Sequence, residues 1–227
     1  MLDKINDIDM LEPLRLKNAD IIYEDHDGMI FIERRSQTLM ISMQDKEKFK
    51  DIYEKENLGA YDLIDVKQKD IVDILVNEYQ KTYQFACYQA GYFKQEKLPM
   101  SLPTNVKIQL LTKEYANVVH QNYHQMDDLE YIFDKIEQQE LWGLFENQQL
   151  AGFIGMHNEG SMGLLEVLPQ YRHRGYGMML ESFLINDCLE NGKVPYCQVI
   201  EGNEASLNLQ RKLGLEISDQ FSYWLFD

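Results

Sequence analysis

Hydrophobic positions along the chain change period several times, and each change marks an element. In residues 28–43 the apolar side chains Met29, Phe31, Leu39 and Ile41 alternate with their neighbours around a polar turn at Arg35 and Ser36. That pattern predicts a β-hairpin. Residues 45–56 place Phe49, Ile52 and Tyr53 on one helical face. Residues 70–79 do the same with Ile71, Ile74 and Leu75, and Asp70 is the expected N-cap. Residues 83–93 alternate and are rich in aromatics, which predicts a strand. The first half therefore reads as a small α+β unit.

Residues 97–105 hold two of the five prolines and no periodic pattern, so they read as a linker. The expected boundary divides residues 1–103 from residues 104–227. Beyond it the order is strand 106–111, helix from Thr112 through Glu114 and Tyr115 to Tyr123, and helix 127–138. Strands 140–145 and 150–157 follow, turned by Asn147, Gln148 and Gln149, and then strand 162–168. Helix 177–191 stops at Gly192, strand 194–200 follows, helix 203–213 is closed by Gly214, and a strand region runs from 215 to 226. A strand, crossover helix and strand in succession predict that strands 162–168 and 194–200 are parallel. The preceding hairpins are antiparallel. The fold class is α/β with a mixed α+β sheet. No internal repeat is visible in the sequence.

The net charge of −16 changes the functional picture. Nucleic-acid binders need a basic face to neutralise phosphates, and the lysines here are scattered among acids. No apolar run is long enough to span a bilayer, and the acidic, interrupted N-terminus is not a signal peptide. Cys87, Cys188 and Cys197 are odd in number and lack CxxC spacing, the usage of reduced thiols in a cytoplasmic protein. His120, His124 and His157 are too dispersed for a metal site, so no metal is expected. The aromatics Tyr223, Trp224 and Phe226 read as core.

Against this acidity the segment Val167-Leu168-Pro169-Gln170-Tyr171-Arg172-His173-Arg174-Gly175-Tyr176-Gly177 stands out. A strand ends, two arginines come within three residues, and two glycines open a helix. Residues 105–227 carry only 8 Lys and Arg against 18 Asp and Glu. A helix N-terminus offers unpaired N–H groups and the positive end of the helix dipole. Gly175 and Gly177 permit close approach or dihedrals that other residues avoid. A tight structural turn would need the same glycines, but not the arginines.

The run Arg172-x-x-Gly175-x-Gly177 after a strand closely resembles the acetyl-CoA loop of the GNAT superfamily of N-acetyltransferases. Residues 203–215, Asn203-Glu204-Ala205-Ser206-Leu207-Asn208-Leu209-Gln210-Arg211-Lys212-Leu213-Gly214-Leu215, resemble the later helix of that family. The resemblance implies a GNAT-like acyltransferase fold in residues 104–227. The preceding α+β half would be an additional unit, either a degenerate GNAT-like half or one that shapes the acceptor pocket. It lacks the glycine loop and is not expected to hold a second cofactor.

The resemblance also implies how acetyl-CoA would sit. Its pantetheine arm would lie between splayed strands against Val167 and Leu168. Its pyrophosphate would rest on the N–H groups of Arg172, His173, Arg174, Gly175, Tyr176 and Gly177, with Asn203 and Ser206 near the sulfur. The implied activity is direct transfer of acetyl, or another short acyl group, to a primary amine. The acceptor would be a small molecule or a peptide amine, and a cationic one suits the acidic surface; a homodimer is a further expectation. Glu166, Glu201 and Glu159 are the candidate bases. The family's usual Tyr acid is replaced by Gln210, and its Phe by Leu215. That replacement keeps two alternatives open. One is a catalytically weak CoA-binding sensor or scaffold. The other is a different CoA-linked transfer by a tandem GNAT-like protein, such as aminoacyl transfer.

Overall fold

The computed structural model describes residues 2–123 and 128–226. The first half runs α1 (Ile8–Arg15), β1 (Ala19–Asp25), β2 (Gly28–Glu33), β3 (Thr38–Met43), α2 (Lys46–Lys55), β4 (Leu63–Val66), α3 (Lys69–Asn77) and β5 (Tyr83–Gly91). The second runs β6 (Val106–Leu110), α4 (Ala116–Asn122), α5 (Leu129–Glu137), β7 (Leu141–Glu146), β8 (Gln149–Met156), β9 (Met162–Val167), α6 (Tyr176–Glu190), β10 (Tyr196–Ile200), α7 (Glu204–Leu213) and β11 (Glu216–Phe226).

All eleven strands join one sheet, in the order β1-β2-β3-β4-β11-β5-β10-β9-β8-β7-β6. The hairpins are antiparallel, and β9 and β10 are parallel as their crossover helix predicts. The run β1-β2-β3-α2-β4-α3-β5 has the same order as β7-β8-β9-α6-β10-α7-β11. In the sheet the two runs trade their last strands. β11 lies antiparallel to β4, β5 lies antiparallel to β10, and β5 and β11 pair with each other at the centre.

The two parallel pairs differ. β3 and β4 are zipped over Leu39/Ile64, Met40/Asp65 and Ile41/Val66. Every residue of β3 is buried, because α2 and α3 supply one core and α1 helps supply another on Met40. β9 and β10 pair only at Met162/Cys197 and then part. β9 is also bulged. Glu166 pairs with Phe153 and Gly163 with Gly155, so Leu164 and Leu165 face the single residue Ile154. Leu164 takes a left-handed φ of 51° while fully buried, a strained conformation for a branched side chain.

Several expectations need correction. α1, β1 and β4 carry no clear apolar period. Asp9 and Glu12 of α1 and Asp65 of β4 are buried with distant partners rather than solvated, while the acids of β1 stay at the surface. Asp9 of α1 and Asp65 of β4 both accept from Lys67 Nζ, at 2.6 and 2.8 Å. Gln89, Ser222 and Gln198 complete this network between the halves. Asp70 lies in the first turn of α3, and Gln68 takes the N-cap position. The helix expected from Thr112 begins as a single 3-10 turn before α4. The expected helix start at Asp127 lies outside the described residues, and Asp128 caps α5 through a 3.0 Å bond from Tyr131 N–H. Residues 92–105 have no helix or strand and are pinned to α6 by two bonds between the Leu98 backbone and the Asn186 side chain.

Replacing Lys67 with Met strands two buried carboxylates. We expect a loss of about 3–5 kcal/mol in unfolding free energy, measured by urea denaturation.

Candidate active site

The parting of β9 and β10 opens a cavity of about 720 Å³. Its long wall is β9, from Met162 to Val167, with Cys197 to Ile200 of β10 opposite. Gly177 and Glu181 come from α6, and Asn203, Ser206 and Gln210 from α7. Tyr123, Tyr131, His157 and Glu159 also line it, as do Ser36, Leu63 and Phe85 of the first half.

The glycine loop sits as the sequence pattern requires. Gly175 is the left-handed N-cap of α6, with φ of 79°. A Cβ on Gly177 would meet only Val167 Cγ2 at 3.8 Å and Leu209 Cδ2 at 3.9 Å. Its missing side chain is therefore an open slot and not a packing contact. Val167, Gly177, Asn203 and Ser206 line the cavity. Asn203 also caps α7, accepting from Ser206 N–H at 3.1 Å.

The loop's cations are held by acids. Arg172 donates to the Val167 carbonyl and to Glu166, both at 3.1 Å. Arg174 donates to Glu146 at 2.7 Å, and the Tyr176 hydroxyl donates to the same carboxylate at 2.8 Å. Glu146, at the end of β7, carries no motif and is invisible to sequence reasoning. Leu168 and Tyr176 are buried supports of the loop. His173 is exposed, with φ of 63°. Both arginine side chains remain about half exposed, so an incoming anion competes only with surface ion pairs, which are worth little.

Of the three candidate bases, Glu159 is on the wall, where it accepts from the Ser161 hydroxyl at 2.6 Å. Glu166 is turned to Arg172, and Glu201 is exposed in the turn after β10; neither lines the cavity. His124 lies outside the described residues. Trp224 and Phe226, expected in the core, also line the cavity, and Trp224 donates to Gln198 at 2.9 Å.

Two groups on the wall escaped the sequence reading. His157 Nδ1 lies 3.0 Å from the Tyr131 hydroxyl, and its ring is pressed against Gly163, where any Cβ would overlap Nε2. Burial disfavours its cation and lowers its pKa. Burial likewise pushes the Tyr123 hydroxyl, which hydrogen-bonds the backbone of Leu164, up to about 12. The second group is Glu181, 2% exposed, whose Oε1 accepts from Gln210 Nε2 at 2.6 Å. Glu181 Oε2 and Gln210 Oε1 are buried with no hydrogen-bond partner. Desolvation raises the Glu181 carboxyl to about 7, opposed by Gln210 and the Cys197 thiol.

This shift has a thermodynamic signature. Native Glu181 keeps its proton where the unfolded chain, with an ordinary value of 4.5, has lost it. Stability is thus full below pH 4.5 and falls as pH rises through about 7. Relative to Glu181→Gln, the wild-type protein should lose about 3 kcal/mol of unfolding free energy across that window, read from denaturation at each pH.

Comparisons with known proteins agree with this architecture. Residues 141–225 match the family model described as FR47-like protein. No curated protein sequence matches the chain. Among solved structures, a GCN5-related N-acetyltransferase from Kribbella flavida is 12% identical with a TM-score of 0.65. The match covers 100% of this chain and 96% of that one. A Drosophila protein is 16% identical with a TM-score of 0.70, over 88% of this chain and 74% of that one. A tandem GNAT protein from the clavulanic acid biosynthesis pathway is 12% identical with a TM-score of 0.51, over 96% and 87%. The chain has the fold of the Kribbella flavida GCN5-related N-acetyltransferase, with a large mixed sheet.

Proposed function

We propose that the protein is an N-acyltransferase that moves an acetyl or other short acyl group from CoA to a primary amine. The observation that carries this reading is the single ladder pair at Met162/Cys197, beyond which β9 and β10 diverge toward the glycine-opened end of α6. Strands of a sheet lie roughly 4.8 Å apart and normally leave no room for a ligand between them. Here they leave a cleft within the usual size of ligand sites.

The residues present fit acetyl-CoA. The amide groups opening α6 suit a pyrophosphate, with Arg172 and Arg174 beside them. The slot at Gly177 admits a chain along Val167. A bound acyl thioester supplies an activated carbonyl. Glu159 is then placed to take a proton from the ammonium form of the acceptor, so that the free amine can attack. Tyr131 and the neutral His157 orient that amine. Two carboxylates, Asp128 and Glu159, stand among the described wall residues beside the Glu181 carboxyl, with no Lys or Arg, which favours a cationic acceptor. The first half is read as a degenerate GNAT copy. It contributes Ser36, Leu63 and Phe85 to the cavity wall, and its own parallel pair is zipped.

Isothermal titration with acetyl-CoA tests the cofactor. Heat of binding is expected from the wild type and none from Gly177→Leu, whose side chain fills the slot. Absence of binding to the wild type would end the acyl-transfer reading. Release of free thiol is the assay for transfer, with a panel of polyamine, aminoglycoside, amino acid and lysyl peptide. Glu159→Gln is expected to lower kcat by about 10²-fold with acetyl-CoA binding unchanged. Binding without thiol release from any amine would favour the sensor reading, which the loss of the family Tyr at Gln210 supports.

A further inference from the structure

We propose that the Glu181 carboxyl is the group that protonates the departing thiolate, in place of the tyrosine that Gln210 replaces. This rests on the acyl-transfer reading above and adds a residue to it.

Gln210 cannot release a proton, but it does not stand alone. Its amide is buried, 2% exposed, and its one hydrogen bond is spent on Glu181. The position that would hold the acid thus leads directly to a carboxyl. Glu181 follows Gly177 by four residues on α6, so the two share a helix face, and both line the cavity. Gly177 has no side chain to place between the carboxyl and the cleft on that face. Cys197, which marks where β9 and β10 part, acts on the same group. The carboxyl therefore lies beside the apex of the cleft.

The unpartnered oxygen is the second observation. A carboxylate oxygen buried with no donor is costly. A carboxylic acid there needs no donor; it has a proton to give, and a ligand atom in the cavity is the acceptor it lacks. Its state follows from its surroundings. Gln210 of α7 and the Cys197 thiol of β10 are the groups that act on it, and no charged side chain does so among the described residues. Burial alone lifts the carboxyl to about 7, so a large share of it holds its proton near neutral pH. The Cys197 thiol is itself pushed well up by burial, so it is not the donor of choice.

The step balances. As the amine nitrogen bonds to the acyl carbon, the C–S bond breaks and its electron pair goes to sulfur. The O–H bond of Glu181 breaks, an S–H bond forms and the carboxylate remains. The proton lost by the amine nitrogen passes to water and restores the acid.

The test compares wild type with Glu181→Gln in kcat against pH, using acetyl-CoA and a saturating amine found by the panel above. The wild type should lose activity as pH rises through about 7, because the acid form is required. The variant should lack that limb and show kcat lower by about 10²-fold, with acetyl-CoA affinity unchanged. A variant with wild-type kcat and the same limb would overturn the proposal. Infrared difference spectra between pH 6 and 8, wild type minus Glu181→Gln, read this carboxyl apart from other buried acids such as Asp65. Loss of a protonated-carboxyl band across that range supports the proposal, and no such band overturns it. If the wild type binds acetyl-CoA and turns over but either of these results fails, only the role of Glu181 falls. If it does not bind acetyl-CoA, the acyl-transfer reading falls first.

Discussion

Everything the site can do depends on two parallel strands that fail to stay paired. Backbone N–H and C=O groups in a sheet interior are obligate hydrogen-bonders, so pulling strands apart leaves groups that must find partners elsewhere. β9 and β10 separate after one pair, and the bulge at Leu164 re-aims the strand over the same stretch. A backbone strained in this way persists only where its surroundings hold it. Here Leu164 is fully buried and Tyr123 bonds its backbone. The first half supplies an internal control. The corresponding strands β3 and β4 keep three pairs, are covered on both faces, and leave no cleft.

Charge is arranged around that opening in two zones. At the α6 end, Arg172 and Arg174 sit in the open on Glu166 and Glu146, held in position yet cheap to release. Deeper in, His157 and Glu181 are dry, and desolvation rather than ion pairing pushes His157 toward its neutral form and Glu181 toward its acid form. A site that binds an anion at one end and handles protons at the other needs this contrast. It cannot come from a net charge of −16, only from local burial.

Much of the second half was legible because its elements follow simple periods, and because Gly175 and Gly214 stand where left-handed turns demand them. Asn203 was legible as a helix start for the same local reason. What was not legible is non-local. Glu181 reads in sequence as one more helix carboxylate between Leu180 and Ser182; only the approach of α7 and β10 makes it buried. Asp9 and Asp65 look like surface acids until Lys67 is brought between them. The bulge at Leu164 is flanked by Gly163, a mark that gives a place but not a direction to the strand's turn. Trp224 is buried as expected, but an aromatic strand gives no sign that one of its faces also meets a cavity.

The exchange of β5 and β11 makes the two halves mutually dependent. Severed at the connection, each would present a slot shaped for the strand the other still holds, edged by unpaired backbone. The chain is in effect a swapped pair held together by its own tether. Residues 92–105, fixed to α6 through Leu98 and Asn186, keep the local concentration of the missing strand high enough that closure needs no second molecule. Two such fragments made separately would be expected to seek each other out.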